Sequence, residues 1–122
     1  MQVGMECNKD YPITPEEMIM LQGHKIPESK NVKCLMACVY KKTKWLTDAG
    51  TFDIDKAEHT IDTELEDAEK KANSKKLMDT CRSVNDAAVN DGTAGCERSH
   101  LLTLCLIEHA PKFGFDLKHV RL

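Results

Sequence analysis

Lys33-Cys34-Leu35-Met36-Ala37-Cys38-Val39-Tyr40 is the stretch on which the fold turns. With Val32, the residues Leu35, Met36, Val39 and Tyr40 recur at the i, i+3, i+4 spacing of a helix with one apolar face. Lys30, Lys33, Lys41, Lys42 and Lys44 fall on the other faces. The pattern predicts a helix from about Ser29 to Leu46. Cys34 and Cys38 lie one turn apart on it, with side chains running parallel. They cannot easily bridge each other, so both reach outward, and this helix clamps two other parts of the chain.

Working outward from it, the whole chain reads as helices. Upstream, Thr14-Pro15-Glu16-Glu17 is a capping box with Pro at the first helical position. The helix it starts runs through about Gln22, where Gly23 stops it and Pro27 forbids its continuation. Downstream, Asp48-Ala49-Gly50-Thr51 is turn material. Asp53 or Asp55 then caps a helix carrying Ala57, Ile61, Leu65 and Ala68, an i, i+4 stripe. Asn73-Ser74 interrupts, and a helix from Lys75 to about Val89 carries Leu77, Met78, Cys81, Val84 and Ala88. After a loop over Asn90-Asp91-Gly92-Thr93, a helix from about Cys96 to His109 is apolar nearly all round, at Leu101, Leu102, Leu104, Cys105, Leu106 and Ile107. A helix of that kind belongs in the middle of a domain. Strand-like alternation is confined to the tail, at Phe113, Phe115 and Leu117.

The 122 residues make a single domain, 1–122. Seventeen Lys and Arg against 20 Asp and Glu give a formal charge of −3, which argues against a nucleic-acid partner. No run of about 18 apolar residues could span a membrane. The six cysteines are Cys7, Cys34, Cys38, Cys81, Cys96 and Cys105. They lack the paired knuckles of a zinc site, and the five histidines form no i, i+3 or i, i+4 pair. A disulfide framework is the better reading, and it implies an oxidising compartment and secretion, the leader being absent from this sequence. Cys96 and Cys105 on one helix point half a rotation apart, about 13.5 Å along the axis, too far to bond. Excluding that pair and Cys34–Cys38 leaves ten of the 15 pairings open.

The spacing Cys7-x26-Cys34-x3-Cys38-x42-Cys81-x14-Cys96-x8-Cys105 resembles the insect odorant-binding proteins of the six-cysteine, pheromone-binding and general odorant-binding type. The x3 and x8 gaps are the fixed parts of that pattern. Lys33-Cys34-Leu35-Met36-Ala37-Cys38 and Trp45-Leu46-Thr47-Asp48-Ala49-Gly50-Thr51-Phe52-Asp53 look like the family too. The resemblance extends from Cys7 to about Phe115. It implies an all-α fold of about six helices around an apolar cavity. It also implies three interlocked disulfides: Cys7–Cys38, Cys34–Cys96 and Cys81–Cys105. Met36, Tyr40, Met78, Leu102 and Leu106 match positions that tend to face the family's cavity. Only six residues precede Cys7, so the N-terminal wall is expected to be trimmed or open.

The expected function is that of a secreted carrier. It would hold one small hydrophobic ligand, such as an odorant, a pheromone-like volatile or a fatty-acid-type lipid, and move it through an extracellular fluid of the sensillum-lymph or haemolymph type. Docking to an olfactory receptor or a membrane, and a monomer or weak dimer, complete the expected partners. The same carrier in a non-olfactory role, and a saposin-like membrane-active protein, are the alternatives. No cofactor or metal is expected. A Gly-rich phosphate loop, GxSxG, HExxH and a nucleophile–base pair are all missing, so the chain does not read as an enzyme. The acidic run Asp62, Glu64, Glu66, Asp67 and Glu69 lacks the spacing and Gly of a calcium loop and reads as a solvated face. Met18, Met20, Met36 and Met78 suit either core filling or an adaptable apolar site. The apolar tail, with Phe113 and Phe115, is expected to fold back as a lid, and His119 would give that lid a pH handle.

Overall fold

The computed structural model describes residues 2–23 and 25–114, with side chains described from Glu6 onward. Phe115, Leu117 and His119, and with them most of the expected lid, lie outside the described residues. Among the described residues there are six α-helices: α1 Gln2–Asp10, α2 Pro15–Gln22, α3 Lys30–Lys42, α4 Ile54–Glu64, α5 Ala68–Thr80 and α6 Cys96–His109. Short 3-10 turns follow α5 at Cys81–Asp86 and α6 at Ala110–Phe113. Among the described residues the extended pairing is a single antiparallel bridge, Leu46 with Phe52.

Local chemistry sets most of the boundaries. Thr14 Oγ1 accepts from the Glu17 N–H at 3.1 Å, and the Thr14 N–H donates to Glu17 Oε1 at 2.9 Å, so the expected capping box starts α2. The Ser29 side chain caps α3 and also bonds the Glu17 carboxylate, tying the starts of α2 and α3 together. That hydroxyl, with the Thr14 N–H behind it, holds the Glu17 carboxyl below the usual range. Asp53 caps α4. The segment before Cys7 is not missing its helix: it is the body of α1, whose Cys7 is buried and bonded to Cys38.

Three boundaries differ from the periodicity reading. First, α3 stops at Lys42 rather than Leu46, because Lys44 adopts a left-handed conformation (φ 69°) and the chain turns back. Leu46 and Phe52 then plug the core, while the Thr47 N–H donates to the Thr51 carbonyl at 2.8 Å and the Asp53 N–H to the Trp45 carbonyl at 2.7 Å. Gly50 makes this hairpin possible: its φ is 84°, and a Cβ there would sit 3.0 Å from the Thr93 carbonyl oxygen. Second, the break falls at Leu65–Asp67, not at Asn73-Ser74. Leu65 is extended, and Asp67 accepts from the N–H groups of Glu69 and Lys70, starting α5 there; Ser74 is buried inside that helix. The i, i+4 stripe therefore ends at the half-buried Leu65, and Ala68 is exposed. Third, the helix expected to reach Val89 ends at Thr80. Beyond it, Asn85 takes the Phe52 N–H at 2.7 Å and donates to the Phe52 carbonyl at 2.9 Å. A side chain that serves as a strand partner in this way pulls its own backbone out of the helix.

The three disulfides are Cys7–Cys38, Cys34–Cys96 and Cys81–Cys105, with Cα separations of 5.8, 4.4 and 5.8 Å and no free thiol. This is the pairing that the resemblance implies. Cys34 and Cys38 clamp α3 to α6 and α1, as their common face requires, and α6 is held on opposite sides by α3 and the end of α5. An ion pair of 3.1 Å between Lys33 and Glu97 reinforces the α3–α6 contact.

Candidate functional site

α6 is central, but it is not the uniformly apolar helix that its leucines suggest. Arg98, Ser99, His100 and Thr103 are buried on it, whereas Leu104 is 41% exposed. Cys96 marks the inward face by bonding Cys34. Ser99 and Thr103 follow at i+3 and i+7 and share that face. The Cys34–Cys96 bond and the contact of Tyr40 with Thr103 both advance in the same chain direction, so α3 and α6 lie parallel along this seam.

The interior divides into two apolar clusters. The larger is built from Phe52, Ala57, Ile61, Leu77, Met78, Cys81, Val84, Leu102 and Ala110, and the smaller from Leu21, Val32 and Met36. Tyr40 packs against both. Its ring stacks on Trp45 with centroids 6.4 Å apart and planes at 8°. Trp45 Nε1 donates to Thr60 Oγ1 at 3.4 Å, anchoring the pair to α4. Although the Tyr40 side chain keeps some exposure at its ring, its hydroxyl end is enclosed, and that burial pushes the phenol pKa up. The Tyr40 hydroxyl and Thr103 Oγ1 are 2.7 Å apart, and Thr103 Oγ1 in turn donates to the Ser99 carbonyl at 2.9 Å. Ser99 Oγ and His100 Nδ1 are buried with no hydrogen-bond partner among the described residues.

The ligand-facing candidates from the sequence are distributed over this seam. Met36 belongs to the smaller cluster, Met78 and Leu102 to the larger, and Leu106 and Phe113 pack against the larger from partly buried positions, with Tyr40 at the junction. Phe115 lies outside the described residues. Met18 and Met20, by contrast, are 44% and 39% exposed on α2 beside Ile19, so they do not fill the core. Two hollows open to solvent, of about 360 and 370 Å³, lie elsewhere. One is lined by Val89, Glu97 and Leu101 and the other by Phe52, Ile54 and Arg82, and none of the candidates borders either. Among the described residues no group of three His, Cys, Asp or Glu side chains is placed to hold a metal.

Arg98 is the residue that sequence reasoning missed most completely. Its guanidinium donates to the Gly50 carbonyl through Nε at 2.9 Å, and through Nη1 to the carbonyls of Val84 and Ala87. One side chain thereby holds the hairpin, the 3-10 turn and the loop before α6 around the core. The signal available for the polar set was the phase of Ser99 and Thr103 relative to Cys96, which places two hydroxyls inside an otherwise leucine-rich helix.

Comparison with known proteins agrees with this architecture. The PBP/GOBP family model matches residues 1–109. General odorant-binding protein 19d of Drosophila melanogaster is 25% identical over 121 residues, spanning 96% of this chain and 75% of that protein. Among solved structures, odorant-binding protein dmelOBP28a from Drosophila melanogaster has a TM-score of 0.72 at 23% identity, over 93% of this chain and 91% of that one. Odorant binding protein 4 of the predator Chrysopa pallens also has a TM-score of 0.72, at 20% identity, over 93% of this chain and 88% of that one. With six helices, three interlocked disulfides and a family match along nearly its whole length, this chain belongs to the PBP/GOBP family.

Proposed function

We propose that the protein is a secreted, non-enzymatic carrier that encloses one small hydrophobic ligand at the seam between its two apolar clusters and moves it through an extracellular fluid. The observation that carries this reading is Tyr40. It touches both clusters and brings its hydroxyl, beside those of Thr103 and Ser99 on α6, to an apolar interior that includes Met36, Met78, Leu102, Leu106 and Phe113. Family membership supports the small-ligand class, because the relatives are named for binding odorants. Three disulfides support both the extracellular setting and the function. They hold the helices in place when a ligand parts the two clusters, at a stabilisation of about 3.5 to 4 kcal/mol each on the loop-entropy view.

Affinity would come from apolar area, at about 25 cal/mol per Å² removed from water. Micromolar binding, about −8 kcal/mol, is within reach of a ligand of about 10 to 16 heavy atoms. An odorant, a pheromone-like volatile or a medium-chain lipid has that size. Titration with a fluorescent apolar probe tests the reading. One saturable site that such ligands displace supports it, and liposome leakage without saturable binding would favour a membrane-active protein instead. Expression in sensory rather than haemolymph-bathed tissue would place the carrier in olfaction.

A further inference from the structure

We infer that the Tyr40 seam selects ligands whose polar end donates a hydrogen bond, alcohols above all, over the aldehyde, ketone or ester of the same chain length. This rests on the carrier reading, and it follows from counting protons along the hydroxyl chain. Thr103 has one hydroxyl proton, and it goes to the Ser99 carbonyl 2.9 Å away. Thr103 Oγ1 can then only accept from Tyr40, so the 2.7 Å contact is Tyr40 donating. The phenol's one proton is thereby committed, and what it still offers is a lone pair. Burial raises its pKa, so the group stays a neutral acceptor near physiological pH.

A carbonyl oxygen set against that lone pair gets no donor from Tyr40, and the phenol oxygen loses water without compensation. A carboxylate meets the same lone pair with a full charge. An alcohol donates to it and is satisfied. Ser99 Oγ, buried one turn away on the same face of α6, has no hydrogen-bond partner among the described residues. A serine hydroxyl donates equally well to a carbonyl and to an alcohol oxygen, so it can add affinity for both without separating them. Discrimination therefore falls to Tyr40, and Thr103 sets its direction from behind as a positioning residue.

The test compares decan-1-ol with decanal by displacement of an N-phenylnaphthylamine probe. Trp45, the single tryptophan and the stacking partner of Tyr40, supplies an intrinsic readout at the site. The full chain should bind the alcohol about three- to tenfold more tightly, the worth of one neutral hydrogen bond. Tyr40→Phe should bring the two affinities together. Thr103→Val removes the acceptor behind Tyr40 and frees its proton, so the preference should move toward the aldehyde. Far-UV circular dichroism checks both variants, and either one alone carries the comparison if the other does not fold. Equal affinities in the full chain, a preference that survives Tyr40→Phe, or no movement in Thr103→Val each overturn the inference and leave the carrier reading standing. Failure of both ligands and of the probe to bind the full chain overturns the carrier reading and the inference with it.

Discussion

Replacing Arg98 with Met gives the sharpest test of how the interior is held. The side chain is 8% exposed, and its three hydrogen bonds go to the carbonyl of Gly50 in the hairpin and to those of Val84 and Ala87 in and just after the 3-10 turn. A hydrogen bond to a charged donor contributes about 1.5–3 kcal/mol, so three would give an upper bound of about 4–9 kcal/mol. Against this stands the cost of burying a guanidinium with no carboxylate beside it among the described residues, several kcal/mol that the Met variant no longer bears. Met also keeps much of the apolar stem packing. The difference leaves a net loss of about 2–4 kcal/mol, or roughly 8–15 °C in melting temperature for a domain of this size. Arg98→Lys should recover little, because a single ammonium cannot span three acceptors that a planar fork reaches. The assay is thermal unfolding followed by circular dichroism with the disulfides intact. A melting temperature within about 2 °C of the parent in Arg98→Met would refute the argument that this side chain joins the hairpin to the turn after α5.

Further outcomes follow from the same geometry. Gly50→Ala should lower stability by about 1–3 kcal/mol in the same melts, since φ is 84° and the new Cβ would press on the Thr93 carbonyl; an unchanged melt would mean the hairpin relaxes freely. Leu106→Trp should weaken probe binding about tenfold while shifting the melting temperature by no more than about 3 °C; lost stability with unchanged affinity would make Leu106 a core residue only. His100 is 7% exposed, and burial, helped by the Lys33 charge and opposed by Glu97 and Glu28, holds its pKa below 6.5. Below pH 6.5 the unfolded chain takes up this proton and the folded chain does not. The contribution is therefore full above pH 6.5 and declines as pH falls through the folded value. Denaturant titrations at pH 7.5 and 5.5 should show this decline, and His100→Gln should reduce it; an identical decline in the variant would place the proton uptake elsewhere.

How much of this was legible beforehand depended on whether the cue was local. The capping box at Thr14 and the leucine-rich run after Cys96 fixed α2 and α6 at both ends, because caps and Gly stops act within one turn. That Cys34 and Cys38, parallel on one face, reach outward to other segments rather than bridge each other was legible for the same reason. What periodicity could not see were places where a distant partner overrules it. Phe52 draws Asn85 out of a helix, and α3 is cut short by a hairpin whose Gly50 answers to Thr93 and Arg98. The break at Asp67 was missed for a different reason: Ala57, Ile61, Leu65 and Ala68 keep their phase in the sequence although the helix ends inside the stripe. The ligand-facing candidates Met36, Tyr40, Met78, Leu102 and Leu106 came from the resemblance, and Phe113 and Phe115 from the apolar tail. The hydroxyl chain that gives their seam its chemistry came from neither source, because a Thr on a leucine-rich helix carries no sign of the tyrosine it will meet.

The central claim is that the seam around Tyr40 takes up one apolar ligand. The most direct measurement is the equilibrium titration of the full, oxidised chain with N-phenylnaphthylamine, read both by probe emission and by quenching of Trp45. The account predicts one saturable site of micromolar affinity, the same midpoint by both readouts, and about tenfold weaker binding in Leu106→Trp. A linear, unsaturable signal, or saturation that leaves Trp45 unaffected and survives Leu106→Trp, would contradict it.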